Sequence, residues 1–192
     1  MKLGIIFLMS FISLDVLSIE TLEYDVIKKE NKFEIRQYKN HITASISFKS
    51  KEEFDKLAFR TLANYIFGNN ISMTSPVLTQ GENIGMTSPV LTEENQSVWT
   101  MSFSMPKRYS LENLPTPSNK NIVIKEEKEK LIAAITFSGF MSDSNFLRNE
   151  RKLTRWLKNN RYEYKPSLIR AGYNPPWTLP FFRKNEVMAV IK

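Results

Sequence analysis

Residues 41–68 decide the fold, and they read HITASISFKSKEEFDKLAFRTLANYIFG. In the first eight of these residues polar and apolar side chains alternate, which is the pattern of a β-strand with one solvent-exposed face. Ser50 and Glu53 then form a capping box that begins a helix. The helical apolar spacing continues to Phe67, and Gly68 is a typical residue after the end of a helix. This segment therefore predicts a strand followed by a helix.

The same plan recurs in the second half of the chain. Residues 131–138 have the composition of a strand, and Asp143 or Ser144 can cap a helix that runs to about Lys158. An asparagine pair follows each predicted helix, and the spacing from strand to asparagine is 21 residues in the first unit and 22 in the second: Phe48 to Asn69 and Phe137 to Asn159. We infer a divergent internal duplication of a strand–helix–strand unit.

Further strand patterns complete the predicted architecture. They occupy residues 22–27, 33–38, 98–105, 122–125, 162–173 and 186–191. Two helices with about eight strands, mostly antiparallel, indicate an α+β fold. We expect a distorted antiparallel β-barrel or curved sheet, built from two strand–helix–strand repeats with two flanking helices.

Composition excludes several classes of function. The chain of 192 residues has 27 Lys+Arg against 20 Asp+Glu, a formal net charge of +7 that favours anionic partners. The absence of cysteine excludes disulfides, thiolate nucleophiles, zinc fingers and iron–sulfur clusters. A single histidine, His41, excludes a multi-histidine metal site. With no phosphate-binding loop either, we expect no enzymatic activity, and the basic second helix lacks the interleaved aromatic residues expected for a nucleic-acid partner.

The N-terminus predicts a secretory leader. Residues 3–14 form an apolar run that is too short for a transmembrane helix, which needs ~20 residues. Val16 and Ser18 offer compact side chains before a cleavage site. We expect a signal peptide over residues 1–18, a single domain over residues 19–192, and an exported protein, periplasmic or secreted. The alternative is that residues 3–14 form a buried strand or helix of the domain.

A shorter repeat lies within the first half of the chain. The sequence MTSPVLT occurs at residues 73–79 and again at residues 86–92, separated by turn-forming residues. Pro76 and Pro89 cannot donate hydrogen bonds to a sheet, so each marks a sheet edge or a bulge. A purely structural hairpin is the alternative to a role in binding.

The first helix carries two apolar stripes. The stripe predicted to face the core comprises Phe54, Leu57, Ala58, Thr61, Leu62, Tyr65 and Ile66. A second stripe, spaced by four residues beside Lys56 and Arg60, comprises Phe59, Ala63 and Phe67. Such a face indicates one wall of an apolar groove with a cationic rim, suited to a flat apolar ligand that carries carboxylates. The aromatic loop at residues 173–182 is a candidate for the opposite wall, or for a cover over the second stripe.

Several segments together resemble one known family. They are the repeated MTSPV, YIFGNN from Tyr65, SVWTMSFSMP from Ser97, FSGF from Phe137 and GYNPPWTLPFFRKNEV from Gly172. Over about residues 22–192 the chain is similar to the SOUL/heme-binding protein family. This resemblance implies a distorted β-barrel of two βαββ repeats and a non-enzymatic protein. It also implies that heme or a related tetrapyrrole binds without a covalent bond in a shallow apolar groove along the first helix.

The resemblance also implies contact positions. They are Lys56, Phe59, Ala63 and Asn64 on the helix and Trp177 in the facing loop, to which the second stripe adds Arg60 and Phe67. Some family members carry a proposed axial histidine directly after the E-x-R of the second strand, where this chain has Gln37; a family lysine is replaced by Asn64. Weak candidates for iron coordination are His41, Met73, Met86 and Tyr173. A carrier or sensor of another small apolar ligand, or a peptide-binding module, is the alternative function.

Overall fold

The computed structural model describes residues 20–68, 87–174 and 177–192. Its strands are β1 (Glu20–Thr21), β2 (Tyr24–Glu30), β3 (Phe33–Tyr38), β4 (His41–Phe48), β5 (Thr87–Ser88), β6 (Val90–Asn95), β7 (Val98–Ser104), β8 (Val123–Glu127), β9 (Lys130–Phe137), β10 (Tyr164–Gly172) and β11 (Asn185–Ile191). Its helices are α1 (Lys51–Phe67), α2 (Asp143–Asn159) and a short 3-10 helix, Pro180–Phe182. Residues 1–18 and the first MTSPVLT copy lie outside the described residues.

The ends of the two long helices follow their sequence signals. At the start of α1, the Glu53 amide donates a hydrogen bond to the Ser50 hydroxyl at 3.3 Å, and the helix ends at Gly68 with a φ of 77°. The cap of α2 is Ser142, one residue before the predicted pair, so that prediction is wrong by one position. With Ser142 as the cap, Asp143 falls in the first turn, where its carboxylate lies 2.7 Å from the Arg170 guanidinium.

Nine strands form one antiparallel sheet in the order β2-β3-β9-β11-β10-β6-β7-β4-β8. The sheet curls into a half-barrel, and two helices flank it. A separate parallel pair joins β1 and β5. The predicted α+β fold with a curved antiparallel sheet is therefore confirmed. Among the described residues, neither helix has the length and apolar character that crossing a membrane requires.

The internal duplication is visible in the connectivity. The units β4–α1–β6–β7 and β9–α2–β10–β11 follow the same path: the last strand pairs with the first, and the helix packs on both. The units meet edge to edge, where β6 pairs with β10. Each unit thus has one strand more than the strand–helix–strand repeat inferred from the sequence.

The two units also exchange their leading strands. β3 precedes β4 in the chain but pairs with β9 of the second unit. β8 precedes β9 in the chain but pairs with β4 of the first unit. The half of the sheet around the second unit therefore contains β2 and β3 from the start of the chain, and the other half contains β8 from the second part.

Three apolar clusters stabilise the sheet. The first lies between α1 and one half of the sheet, with Ala44, Ile46, Phe54, Ala58, Leu62, Ile66 and Phe103 among its members. The second lies between α2 and the other half, with Ile35, Ile135, Phe146, Leu153, Leu157 and Val187. The third lies on the inner face of the curl, with Tyr38, Ile132, Ala134, Ile169, Ala171 and Met188. Both faces of the second half are therefore buried.

One sequence prediction about β4 is wrong, and the strand β6 was missed. The polar side chains of β4 were expected to face solvent, but Thr43 and Ser45 are buried, because they point to the inner side of the curled sheet. The Ser45 hydroxyl donates to the Val123 carbonyl at 3.2 Å, so its burial does not leave it without a partner. The strand β6 was not predicted; it begins directly after Pro89, which separates it from β5 in the chain.

The core face of α1 is rotated relative to its predicted position. Leu57, expected in the core, is 40% exposed, whereas Ala63, expected on the second stripe, is 3% exposed. The reason is that α1 packs on β7 as well as β4, so burial extends around the helix toward Ala63. Phe54, Ala58, Leu62 and Ile66 are buried as predicted.

We expect Leu62→Ala to lower the free energy of unfolding by about 3 kcal/mol, because the removed atoms leave a cavity in a fully buried site. Leu57→Ala is the matched control on the same helix and should cost under about 1 kcal/mol. Urea denaturation followed by circular dichroism measures both. Equal losses for the two variants would contradict this assignment of the core face.

Candidate functional site

Two aromatic side chains of α1 remain open to solvent. Phe59 is 49% exposed and Phe67 is 38% exposed. The Phe59 ring meets the buried Phe103 ring edge to face, with centroids 5.6 Å apart. Part of the Phe59 ring thereby contacts the core while the remainder is available to a ligand.

An apolar row leads from Phe59 across the sheet. Phe103 of β7 lies opposite Val90 of β6, and Val90 lies opposite Gly172 of β10, so all three share the face on which α1 packs. Adjacent strands are about 4.8 Å apart, so this row spans roughly 10 Å. A Cβ at Gly172 would overlap the Met141 methyl group, which lies over that position. The row therefore forms a shallow apolar floor that ends at Met141.

The loop after Gly172 stands at the far end of this floor. Its path is held by a hydrogen bond from the Lys184 amide to the Asn174 side chain at 2.6 Å and by one from the Gly139 amide to the Pro180 carbonyl at 2.8 Å. Trp177 in this loop is 82% exposed. Its indole is therefore not packed as a cover over Phe59 and Phe67.

The two cations at the rim differ in how far a neighbouring acidic side chain compensates their charge. The Lys56 ammonium lies 2.6 Å from the Glu52 carboxylate, which partly compensates its charge. Arg60 is exposed, and no ion pair to its guanidinium occurs among the described residues. Asn64 is half-buried beside them. The uncompensated positive charge of the rim is therefore that of Arg60, although an exposed pair such as Lys56–Glu52 separates at little cost.

Among the candidate iron ligands, His41 is not brought to this groove. His41 lies on the inner side of β4, its Nδ1–H donates to the Lys39 carbonyl at 2.8 Å, and burial lowers its pKa. It lines a surface cavity with Asn40, Met105 and Lys107, a cavity to which α1 contributes no residue. Met73 and Met86 lie outside the described residues. No cluster of three or more histidine or acidic side chains suited to a metal ion is present where the structure is described.

Tyr173 is engaged elsewhere. Its hydroxyl donates a hydrogen bond to the Glu186 carboxylate at 2.5 Å. Burial and the negative charge of Glu186 both raise the pKa of Tyr173. The side chain is thus a neutral phenol with its proton committed, whereas iron coordination by tyrosine needs the phenolate.

The carboxylate that holds Tyr173 belongs to a buried cluster that the sequence analysis missed. Arg36 donates two hydrogen bonds to Glu186, each at 2.8 Å, and a third to Glu34 at 2.8 Å. Glu186 also accepts from the Thr136 hydroxyl at 2.9 Å. Burial alone would raise the pKa of Glu186, but the hydrogen bonds and charge of Arg36 outweigh it and hold that pKa at about 2. The sequence could have indicated this pair, because two strands each carry a charged residue at an inward-facing position. One residue is positive and the other is negative.

The comparison with protein families settles the relationship of the chain. The model of the SOUL heme-binding protein family matches residues 19–190. The chain belongs to this family. The suspected resemblance is confirmed, and it covers nearly the whole sequence. SOUL proteins are a binding family rather than a family of enzymes. Among curated proteins, the comparison found no match to the chain.

Solved structures share the fold at low sequence identity. An uncharacterized conserved protein from Listeria innocua has a TM-score of 0.61 at 12% identity, covering 85% of this chain and 93% of that one. A hydrolase from Listeria innocua has a TM-score of 0.57 at 9% identity, covering 86% and 94%. The EcmrR C-terminal domain has a TM-score of 0.56 at 15% identity, covering 88% and 98%. At these identities the likeness establishes the fold alone.

We expect Glu186 to make the fold acid-sensitive. Its pKa is about 2, below the ordinary value of 4.5, so its contribution to stability is complete above about pH 5 and is lost as the pH falls toward 2. Glu186→Gln should lower the free energy of unfolding at pH 7 by about 3 kcal/mol and flatten its dependence on pH in that window.

Chemical denaturation at several pH values between about 2 and 7 measures this effect. Glu112→Gln, which removes an exposed carboxylate, is the control and should leave the profile of the parent protein unchanged. A Glu186→Gln variant with the same steep acid dependence as the parent would contradict the role of the pair.

Proposed function

We propose that the protein binds heme or a related tetrapyrrole, without a covalent bond and without catalysis, in the shallow groove along α1. The proposal rests on the exposure of Phe59. Its side chain is 49% exposed, although its ring also packs on the core residue Phe103. Membership of the SOUL heme-binding family supports the same ligand class.

The groove has the parts that a flat dicarboxylate ligand needs. A macrocycle laid along α1 would cover Phe59 and Phe67 and extend over Val90, with Trp177 as the opposite wall. Met141 covers Gly172 and would contact the edge of the macrocycle at the end of the floor. Ala63 is buried and would contribute by keeping the helix surface low between the two rings.

The polar contacts lie at the edge of this surface. The propionates would reach Arg60 first and then Lys56, once Lys56 leaves Glu52. The half-buried Asn64 would donate a hydrogen bond from its amide. These contacts orient the ligand but contribute little free energy in water, because exposed charge pairs are screened.

The proposed binding is to the macrocycle rather than to iron. His41 lines a different cavity and Tyr173 is held by Glu186, so neither of these two candidates supplies an axial ligand to the groove. Burial of about 300 Å² of apolar ligand surface yields roughly 7 to 8 kcal/mol before the cost of association. Binding is therefore micromolar or weaker. Metal-free protoporphyrin should bind within a few-fold of hemin.

The same reasoning defines the second candidate function. A groove without an iron ligand accepts any flat apolar anion, so a carrier or sensor of another small apolar ligand uses the same residues. A competition titration with hemin distinguishes the two, because a physiological ligand of another kind would displace hemin at lower concentration. We also propose that the protein is exported after cleavage near Ser18, on the evidence of the apolar run at residues 3–14.

Phe59→Ala should weaken both hemin and protoporphyrin by about tenfold, because a phenyl ring that contacts the ligand contributes about 1.5 kcal/mol or more. An absorption titration of each compound measures the dissociation constants. The melting temperature should fall only slightly, since half of the ring is already exposed.

His41→Ala is the control for iron coordination and should leave both dissociation constants within a few-fold of the parent protein. A loss of hemin binding in His41→Ala, with protoporphyrin binding retained, would show that iron is bound at His41 and not in the groove. Unchanged binding in Phe59→Ala would contradict the site itself.

The two rim cations should contribute unequally to the affinity for hemin. Arg60→Glu should weaken hemin more than Lys56→Glu, because the charge of Lys56 is already compensated by Glu52. The difference should shrink from about 0.05 to 0.5 M salt, as screening shortens the range of the charges. Hemin titrations at both salt concentrations measure it, and equal effects of the two variants would contradict the unequal rim.

A further inference from the structure

A second apolar surface lies at one end of the sheet. Six large side chains there are between 48% and 82% exposed, and we call them the aromatic cap: Phe140, Met141, Trp177, Leu179, Phe181 and Phe182. Soluble proteins seldom leave so many large apolar side chains together on the surface without a binding role.

The cap is formed by two connections that leave the sheet at the same end. Asn185, the first residue of β11, pairs with Phe137 at the end of β9 and with Gly172 at the end of β10. The β9–α2 connection and the β10–β11 connection therefore start side by side. The hydrogen bond from the Gly139 amide to the Pro180 carbonyl, at 2.8 Å, ties one to the other.

Further contacts hold the cap in one conformation. Arg183 Nε donates to the Thr178 carbonyl at 2.7 Å, and its guanidinium carbon lies 5.7 Å from the centre of the Phe140 ring. The Phe181 and Phe182 rings pack together with centroids 4.5 Å apart. These contacts restrain the backbone at Gly139, Thr178, Pro180 and Arg183, which reduces the entropy lost when the surface binds.

The charge around the cap has one sign. From residue 164 to residue 184 the sequence contains no aspartate or glutamate, and Arg183 and Lys184 follow the cap directly. The nearest acidic side chain on the other connection, Asp143, is paired with Arg170 at 2.7 Å. The whole chain has a net charge of +7. A partner for this surface therefore combines an apolar interior with negative charge at its boundary.

We propose that the aromatic cap docks on the surface of an anionic lipid bilayer. The large apolar side chains enter the boundary between headgroups and acyl chains, where tryptophan and phenylalanine partition well, and Arg183 and Lys184 meet lipid phosphates. A bilayer fits better than a protein pocket, because Phe140, Phe181 and Phe182 are 64% to 71% exposed on two neighbouring loops. The inference goes beyond the proposed function, and its test needs no tetrapyrrole.

The docked orientation has a consequence for the groove. Met141 ends the groove floor and Trp177 stands at its opposite wall, and both belong to the cap. Docking therefore places one end of the groove at the membrane surface, where flat apolar compounds partition into the lipid. A ligand dissolved in the lipid can then reach the groove without crossing bulk water.

The experiment is vesicle sedimentation of the full chain. The vesicles consist of phosphatidylcholine alone, or of phosphatidylcholine with about one third phosphatidylglycerol. The parent protein should bind the anionic vesicles at least about tenfold more tightly than the neutral ones, and less tightly at high salt. Absence of binding to anionic vesicles would overturn the proposal.

The decisive variant is Phe181→Ser combined with Phe182→Ser. Because both rings are mostly exposed, the melting temperature should change little, while the affinity for anionic vesicles should fall by at least about tenfold. Leu111→Ser is the matched control, since Leu111 is 54% exposed on a different loop, and it should bind vesicles as the parent does. Equal vesicle binding by the double variant and the control would overturn the proposal.

Trp177 provides an independent readout. Its fluorescence should shift to shorter wavelength with anionic vesicles, and the shift should disappear in Trp177→Phe while vesicle binding persists, because Trp99 and Trp156 lie outside the cap. Hemin titration of the Phe181→Ser/Phe182→Ser variant separates the two proposals. Lost hemin binding with retained vesicle binding would assign the cap to the groove and overturn the membrane role.

Discussion

The buried ion pair between Arg36 and Glu186 is the interaction on which the rest of the structure depends. It joins β3, from the start of the chain, to β11, its last strand, through two hydrogen bonds of 2.8 Å. Two buried charges are tolerated only when each compensates the other, so the pair selects the one arrangement in which these strands lie in the same curled sheet. The same carboxylate accepts a hydrogen bond from Tyr173, the residue that begins the β10–β11 connection.

The duplicated architecture allows the outward faces of the two helices to be compared. Both helices pack on the first and last strands of their unit, and both bury one face. The outward face of α2 carries cations, among them Arg148, Arg151 and Arg155. The outward face of α1 instead exposes Phe59 and Phe67. The outward face of α1 is therefore apolar where that of α2 is cationic, and the proposed groove lies on this apolar face.

The exposed apolar surfaces meet where the two units join. The groove floor crosses the β6–β10 pairing at Val90 and Gly172, and it ends at Met141 from the turn before α2. Both connections of the aromatic cap leave the sheet from the second unit, next to this seam. The groove thus has one wall from each unit. A single unit would provide neither the complete floor nor the facing loop.

Local features of this protein could be predicted from its sequence alone. The bounds of β3, β4 and α1 follow from alternation, the Ser50–Glu53 capping box and Gly68, all of which act within a few residues. Phe59 and Phe67 could be assigned to an exposed stripe by helical periodicity, and the motifs from Gly172 onward identified the family. What periodicity could not supply was the identity of the neighbours across space.

Tertiary structure decided the remainder. Thr43 and Ser45 alternate as residues with a solvent-exposed face would, yet they are buried because the sheet curls over them. Leu57 and Ala63 differ from their predicted exposure because α1 packs on β7 in addition to β4. Arg36 and Glu186 are 150 positions apart and pair only because the two units exchange their leading strands. Burial and charge pairing depend on which segments the topology brings into contact, and local sequence patterns do not contain that information.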